Sequence, residues 1–378
     1  MVSLWLAVIY LLILLLKSLS AGYYQRHFPR RTFNGSATDV AILQPILSGD
    51  PNLENTLAQN VEQLSGVHFC WLVDEDDNVA RQTVSRLQQR FTHANITVQY
   101  FPPAPETINP KLFKLQPALE RVQQNYIIVV DDDTVLSPTG LNSLLAALEQ
   151  HTLATGLPHY QHGNNIASDL LAAFVNNNAA MTYLATLPFM APVTINGMTY
   201  AFKRDVYLGY GGFAAIMHHL TDDLAVAEQV LSQGGSICQT PDRQIIATHL
   251  DGWSSYVRQM HRWFVFAHLL FGRKNRFIQT IMVLLYGLPP LILCTLLLIS
   301  LLYSSLSAWL ALLAVIVIRH AITIRYTGEP AFSIRPCLIS VLAELLQWLH
   351  LLHAAVYRTI RWRKRRYRVY SSDHFESR

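Results

Sequence analysis

Neither a G-x-G-x-x-G nor a G-x-x-x-x-G-K-[ST] occurs in the 378 residues, so no dinucleotide fingerprint and no P-loop is present to cradle a phosphate in backbone amides. A Rossmann dehydrogenase and a P-loop ATPase are thereby unsupported. Cysteine is scarce: Cys70, Cys238, Cys294 and Cys337 are scattered, with no C-x-x-C, which argues against a zinc site and a disulfide framework and suits a reducing compartment. Charge is scarce too, at 14% against a hydrophobic share of 51%, which is too little for an ordinary soluble protein.

The shortage of charge is concentrated in two places. Val2 to Leu16 has none, and with Lys17 at its end it supplies about the 17 to 20 residues that cross a bilayer. A second apolar block runs, with interruptions, from near Phe277 to about Tyr357. This divides the chain into an N-terminal anchor over residues 1–21, a globular domain over 26–263, interfacial and transmembrane helices over 264–357 and a basic tail over 358–378. A cleaved signal peptide is the alternative for the first segment, because Ser18 to Gly22 supplies small residues. No Lys or Arg precedes the first apolar run, whereas Arg26, Arg30 and Arg31 follow it. The positive-inside rule then puts the globular domain in the cytoplasm, on a multi-pass protein of the inner or plasma membrane if the source is bacterial.

Ile278 to Leu302 and Ser307 to Ile324 read as two spans, with Pro289 and Pro290 placed to kink the first. A third crossing by Ser340 to Tyr357 would leave the tail outside, so a re-entrant or interfacial segment is favoured there. No ionisable pair lies at the midplane of a predicted span, since Arg319 and His320 fall near an end, which argues against a transporter. The net charge of +4 comes mainly from the ends, above all Arg358 to Arg368; beside a membrane segment the expected partner is the anionic lipid surface and not nucleic acid.

Within the globular region apolar runs alternate with helical spacing. Val40 to Pro45, His68 to Val73, Ile96 to Phe101 and Tyr126 to Val130 read as strands, and Asp50 to Leu64, Ala80 to Phe91 and Leu112 to Gln124 as the helices between them. That alternation predicts right-handed crossovers and a largely parallel, Rossmann-like α/β sheet. Beyond Gly140 the pattern loosens. Leu141 to Leu148 is helical, Ala154 to Tyr160 is a short strand, and Leu170 to Leu187 is an apolar helix in which Asn176, Asn177 and Asn178 argue against a span. Val193 to Arg204 has period-2 character around a Gly that permits close approach of a ligand.

The most informative segment is Tyr126 to Val135, YIIVVDDDTV, where a buried-strand pattern runs straight into Asp131, Asp132 and Asp133. Ligands of open α/β sheets sit at the carboxyl ends of the strands, and three adjacent like charges there call for a positive answer. A hard divalent cation carrying a phosphorylated substrate is the simplest one; an exposed acidic turn is the alternative. A second acid group, Asp74, Glu75, Asp76 and Asp77, closes another strand, and both groups face one edge of a doubly wound sheet. Asp222 and Asp223 follow Thr221, a plausible N-cap, so they also have a reading as first-turn acids only. His218 and His219 are weaker metal candidates, because adjacent side chains point apart.

These acids, in order, with Gln259-x-x-Arg262-Trp263, resemble the D, DxD, D, (Q/R)-x-x-R-W signature of membrane-bound family 2 glycosyltransferases of GT-A fold, and within them the ceramide glucosyltransferases and their bacterial relatives. Leu43 to Leu53 (LQPILSGDPNL), Asn109-Pro110-Lys111, Gly156-Leu157-Pro158, Arg204-Asp205-Val206 and Arg365-Arg366-Tyr367-Arg368 are similar to further segments of that group, and the resemblance spans nearly the whole chain. Three positions depart from it: Gln44 replaces the opening basic residue, Ala154-Thr155 stands where a His precedes G-L-P, and Asp131-Asp132-Asp133 replaces D-S-G.

The resemblance implies a hexosyltransferase that joins a nucleotide-sugar donor, UDP-linked, to the hydroxyl of a membrane lipid with inversion. It implies Asp74, Asp131 and Lys111 at the nucleotide sugar, Asp131 and Asp133 at a Mg²⁺ or Mn²⁺, Asp223 as the general base, and Gln259, Arg262 and Trp263 at the diphosphate and acceptor. A polysaccharide synthase shares the motifs but needs more spans to build a channel, and a non-catalytic membrane scaffold would not need its carboxylates.

Overall fold

The computed structural model describes residues 1–163, 165–328, 333–362 and 365–377; Arg363 and Lys364 of the basic tail lie outside the described residues. The chain forms two compact units. A helical unit collects Met1–His27, His162–Met190 and Leu250–Arg366, and a sheet unit collects Phe28–Gln161, Ala191–His249 and Tyr367–Arg378.

Helix α1 (Val2–His27) belongs to the helical unit. The sheet unit then alternates β1 (Val40–Ile46), α2 (Leu53–Gln63), β2 (His68–Asp74), α3 (Asn78–Arg90), β3 (Ile96–Phe101), α4 (Pro110–Arg121) and β4 (Tyr126–Val130), followed by β5 (Thr134–Val135), α5 (Pro138–Ala147) and β6 (Leu153–Tyr160). Helix α6 (Ile166–Ala179) returns to the helical unit, after which β7 (Thr199–Lys203), α7 (Arg204–Gly209), α8 (Asp222–Ser232) and β8 (Ile237–Ile246) complete the sheet. Next come α9 (Trp253–Arg273), α10 (Arg276–Met282), α11 (Leu288–Tyr303), α12 (Leu306–Thr327) and α13 (Ile334–Val356), and then β9 (Thr359–Trp362), β10 (Arg365–Val369) and β11 (Phe375–Ser377).

The eight strands lie in the order β3-β2-β1-β4-β7-β6-β8-β5. Strands β3, β2, β1 and β4 are mutually parallel, as the alternation predicts; β7 runs antiparallel between β4 and β6, and β5 antiparallel beside β8. Period-2 geometry sends Val40 and Ile42 of β1 into a core with Leu57, Trp71, Val84 and Leu144, and Ala41 and Leu43 into a second core with Leu112, Leu115, Tyr200 and Phe213. Because both faces are covered, β1 and β4 are apolar at nearly every position. Leu220 donates its N–H to the Ser372 carbonyl at 2.8 Å, so the segment after Tyr367 is bonded into the sheet unit.

Among the described residues, four helical stretches are long and apolar enough to cross a membrane: Val2–His27, Arg276–Tyr303, Leu306–Thr327 and Ile334–Val356. A π turn over Val283–Gly287 precedes Pro289 and Pro290, which fall in the first turn of α11 where a missing N–H is tolerated. Helix α13 is unbroken over 23 residues, where the sequence favoured a re-entrant or interfacial segment. One expectation is corrected. The apolar helices do hold an ionisable pair: Arg319 on α12 donates through Nε to the Glu344 carboxylate on α13. Tyr10 donates its hydroxyl to both Glu344 oxygens at 2.9 Å, Arg319 also donates to the Ser340 hydroxyl, and Asn177 Nδ2 donates to that same oxygen at 2.7 Å. The sequence set Arg319 near the end of a span and hid its partner, because Glu344 lies 25 positions away on another helix.

Candidate active site

Since β2 and β4 both run parallel to β1, Asp74 at the end of β2 and Asp131 just past β4 stand at the same edge of the sheet. Asn109 builds the next piece. Its Oδ1 accepts the N–H groups of Lys111 at 2.9 Å and Leu112 at 3.4 Å, capping α4, while Pro110 occupies the first turn. Its Nδ2 donates to the carbonyls of His219 at 2.9 Å and Leu220 at 3.2 Å, which ties the start of α4 to the loop ahead of α8.

Lys111 and Lys114 are three residues apart on α4 and therefore share a face. Lys111 Nζ lies 2.8 Å from Asp131 Oδ1 and 2.9 Å from Asp222 Oδ2, and donates to the Gly197 carbonyl at 2.9 Å. Lys114 Nζ lies 2.9 Å from Asp74 Oδ1. With side chains only 8% and 1% exposed, the two ammonium groups are little screened. Burial alone would lower the pKa of Lys111, but Asp131 and Asp222 outweigh it and hold the group above the ordinary lysine range. One helix face thus answers carboxylates from three separate parts of the sequence.

Asp133 turns elsewhere. The Thr248 hydroxyl donates to its Oδ2 and the Thr134 hydroxyl to its Oδ1 at 3.2 Å. Burial first, then the charges of Asp131, Asp132 and Asp50, push its carboxyl up to about 7, with the Thr248 bond opposing. Asp132 accepts the Leu47 N–H at 2.7 Å, and Asp77 closes the other acid group as a structural residue, accepting from Ala80 at 3.1 Å and Ser48 at 2.8 Å. Asp223 is also pushed up to about 7, by burial first and by Asp222 next, against the lowering effects of the Leu224 N–H at 2.8 Å and of Lys111. Thr221 occupies the cap position of α8, but its side chain makes no capping hydrogen bond.

Gly197 is the residue that permits a close approach, and what approaches is this chain's own Asp223: a Cβ at Gly197 would stand 3.2 Å from the Asp223 Cβ. Two departures from the family pattern hold that loop and its surroundings. Thr155 donates to the Thr199 carbonyl at 3.0 Å and accepts the Asn196 N–H at 3.0 Å, while Gln44 donates to the Asp131 carbonyl at 3.2 Å. Sequence reasoning missed Lys114, Thr248 and Tyr200, whose buried phenol is raised well above its ordinary range by burial and by Asp222, Asp131 and Asp223. For Lys114 the available signal was its helical spacing from Lys111; for Tyr200 it was the alternation of its strand. His218 Nδ1 lies 3.1 Å from the Thr107 carbonyl oxygen.

Among the described residues no group of three or more His, Cys, Asp or Glu side chains is arranged as a metal site. The donor chemistry nonetheless suits a hard cation that binds through one or two carboxylates and takes its other ligands from substrate phosphate and water. Asp131 and Asp133 are such carboxylates, and Asp133 is buried, with the like charges of Asp131, Asp132 and Asp50 acting on it as well. In the helical unit, α9 carries Gln259, Arg262 and Trp263. Arg262 Nη2 donates to Gln259 Oε1 at 2.9 Å across one helical turn, and Trp263 stacks on Phe174 with ring centroids 6.2 Å apart.

The model of glycosyl transferase family 21 matches residues 2–374. Ceramide glucosyltransferase 1 of Caenorhabditis elegans is 24% identical over 206 residues, covering 52% of this chain and 42% of the relative, so the chain spans less than half the length of that curated protein. Among solved structures, the mannosyltransferase PcManGT from Pyrobaculum calidifontis, in complex with GDP-Man and Mn2+, superposes with a TM-score of 0.52 over 93% of this chain and 98% of that one. At 13% identity this is a likeness of fold.

Proposed function

The chain belongs to glycosyl transferase family 21 and is a glycosyltransferase; on that premise we propose that it moves a hexose from a nucleotide sugar, UDP-linked, to the hydroxyl of a membrane lipid, inverting the anomeric carbon. The observation that carries this reading is the pairing of Lys111 with Asp131 and Asp222 beside Asp223, a carboxyl pushed up to about 7. A base with a pKa near the operating pH is matched to take a hydroxyl proton, an effect of about 10²- to 10⁴-fold. Asp223 takes the proton of the acceptor as its oxygen bonds to the anomeric carbon from the face opposite the leaving group. The bond from that carbon to the diphosphate oxygen breaks, and its electron pair leaves with the diphosphate.

Asp74, oriented by Lys114, hydrogen-bonds the nucleoside, and Asp131 and Lys111 hold the nucleotide sugar. Asp133 and Asp131 would hold Mg²⁺ or Mn²⁺, which when bound supplies Lewis-acid stabilisation of the diphosphate. Support for a divalent ion comes from this acidic donor set and from the Mn2+ in the mannosyltransferase of like fold. By family resemblance, Gln259, Arg262 and Trp263 serve the diphosphate and the acceptor. The C. elegans relative supports a ceramide-like acceptor and glucose as the sugar.

The cytoplasmic placement of the sheet unit rests on the positive-inside rule, and the path of the chain supports a common side for the two ends of the unit. The chain leaves that unit at His249 and rejoins it at Tyr367, with Ser372 bonded to Leu220, so an even number of crossings separates the two points. Three helical stretches of spanning length lie between them, and on this reading one of the three does not pass fully through. We take it to be α13, the segment read from the sequence as re-entrant or interfacial, which leaves the basic tail on the cytoplasmic side, where the positive-inside rule places it.

The test is mass spectrometry of lipid extracts from cells that carry the chain, lack it, or carry Asp223→Asn. A hexosylated lipid appears only with the unaltered chain, while purified Asp223→Asn keeps nucleotide affinity within about twofold and loses about 10²- to 10⁴-fold in turnover. Polymer in place of glycolipid, or wild-type turnover in Asp223→Asn, would refute the reading.

A further inference from the structure

Helix α8 begins without a cap of its own, since the Thr221 side chain makes no capping hydrogen bond. Ala225, Val226, Ala227 and Val230 fix the body of the helix in the second core, but Asp223 stands in the first turn, where a helix frays unless its neighbours hold it.

What holds it is the preceding loop. On one side Asn109 donates its N–H to the Met217 carbonyl at 2.9 Å and its Nδ2 to the carbonyls of His219 and Leu220. On the other side the Leu220 N–H donates to the Ser372 carbonyl at 2.8 Å. Leu220 is fully buried and Ser372 is only 2% exposed, so this bond is closed to water. Were it lost, the N–H would be stranded in the interior and the loop would have to move to find it a partner.

Ser372 belongs to the turn of a hairpin. Strands β10 and β11 pair antiparallel with Val369 opposite Phe375, and the His374 carbonyl accepts the N–H groups of Tyr370 at 3.0 Å and Ser371 at 3.1 Å. A two-stranded hairpin is marginal in water by itself. This one keeps Tyr367, Val369 and Phe375 buried, and the rings of Tyr367 and Phe375 meet edge to face with centroids 5.6 Å apart. The turn is thus set by apolar contacts, and the Ser372 carbonyl is set with it.

We propose that the β10–β11 hairpin is a positioning element for the base: through the Ser372 carbonyl it clamps Leu220 from the side opposite Asn109, and so fixes the first turn of α8, where Asp223 must meet the acceptor hydroxyl. This rests on the reading of Asp223 as the base. The full chain in nanodiscs is compared with Phe375→Ala, Phe375→Leu, Asp223→Asn and the double variant of Phe375→Ala with Asp223→Asn, by steady-state kinetics, nucleotide affinity and hydrogen exchange of the peptide over 217–224.

A misplacement of about 1 Å costs about 10²-fold in rate, so Phe375→Ala should lower kcat about 10- to 10²-fold with nucleotide affinity kept within about twofold. Exchange over 217–224 should rise about tenfold while β1 and β4 stay protected. Phe375→Leu, which keeps an apolar side chain there, should restore most of the rate. On top of Asp223→Asn the Phe375→Ala change should cost nothing further, because two changes that act through one group do not add. Asp373→Ala, which removes the carboxylate that the Ser371 hydroxyl reaches at 2.6 Å in the turn, should lower kcat about twofold and serves if Phe375→Ala does not fold. Unchanged exchange over 217–224, unchanged turnover despite faster exchange, or a loss repeated in full on top of Asp223→Asn overturns the proposal and leaves the base in place. Wild-type turnover in Asp223→Asn together with faster exchange in Phe375→Ala does the reverse, upholding the clamp on the loop and defeating the base.

Discussion

In the helical unit Arg319 meets Glu344 one for one, and Tyr10 and Ser340 occupy the remaining hydrogen-bonding positions. In the sheet unit Lys111 and Lys114 are held by Asp74, Asp131 and Asp222, while Asp133 and Asp223 accept bonds from Thr248, Thr134 and Leu224 and are both pushed up to about 7. Balanced charge in an apolar setting holds helices in register and has little reason to respond to a ligand. Unbalanced charge is a standing demand for protons, metal or substrate, and it is found at the sheet edge that gathers Asp74, Asp131 and Asp222 around the two lysines.

The sharpest way to break this contrast is to remove the cation from each region. Breaking a buried pair strands the partner charge at a cost of about 3–5 kcal/mol, whereas replacing both partners by apolar groups is often neutral. Arg319→Met should therefore lower the melting temperature of the purified protein strongly, and Arg319→Met with Glu344→Leu should restore most of the loss together with transfer activity. Lys111→Met should be as damaging. Adding Asp131→Asn and Asp222→Asn should restore stability but not transfer, since those carboxylates belong to the site. Recovery of activity in that triple variant would erase the distinction between the regions.

A smaller effect follows from proton binding. Asp223 must be ionised to act as a base, so kcat/KM should fall about tenfold per pH unit below about 7 and level off above it, while the residual rate of Asp223→Asn stays flat across the range. Stability of the ligand-free protein runs the other way. Asp133 and Asp223 sit above the ordinary carboxylate value near 3.9, so the folded state binds the extra protons. The resulting stabilisation is full below about pH 4 and is lost as pH rises through about 7. Mn²⁺ should offset that loss at neutral pH, which thermal melting with and without EDTA would show; a melting temperature indifferent to Mn²⁺ would count against Asp133 as a ligand. The smallest signal concerns topology. In sealed vesicles, cysteines placed at Ser371 and at Glu75 should show the same accessibility to an impermeant label, and opposite accessibility would refute the even number of crossings.

Strands β3 and β4 were legible to the residue because uninterrupted apolar or alternating runs have no other economical reading. Strand β8 was not: Pro241, Asp242 and Arg243 interrupt Ile237–Ile246, and its pairing with β6 shifts register between Thr155 and Leu157, so only the neighbouring strand defines it. Both sheet-edge acid groups could be placed from the ends of apolar strands, yet their cations could not. Lys114 looks like any exposed helical lysine until the fold sets Asp74 opposite it. The same holds for Gln44 and Thr155, which looked like losses of family residues and prove to be bonded to the Asp131 carbonyl and to the loop that carries Gly197.

That loop leaves one atom in a decisive place. At Gly197 the side chain is a single hydrogen facing Asp223, and the carbonyl of the same residue receives Lys111. The smallest enlargement there would set a methyl group 3.2 Å from the Asp223 Cβ, so the placing of that carboxylate depends on a neighbour that carries no side-chain carbon.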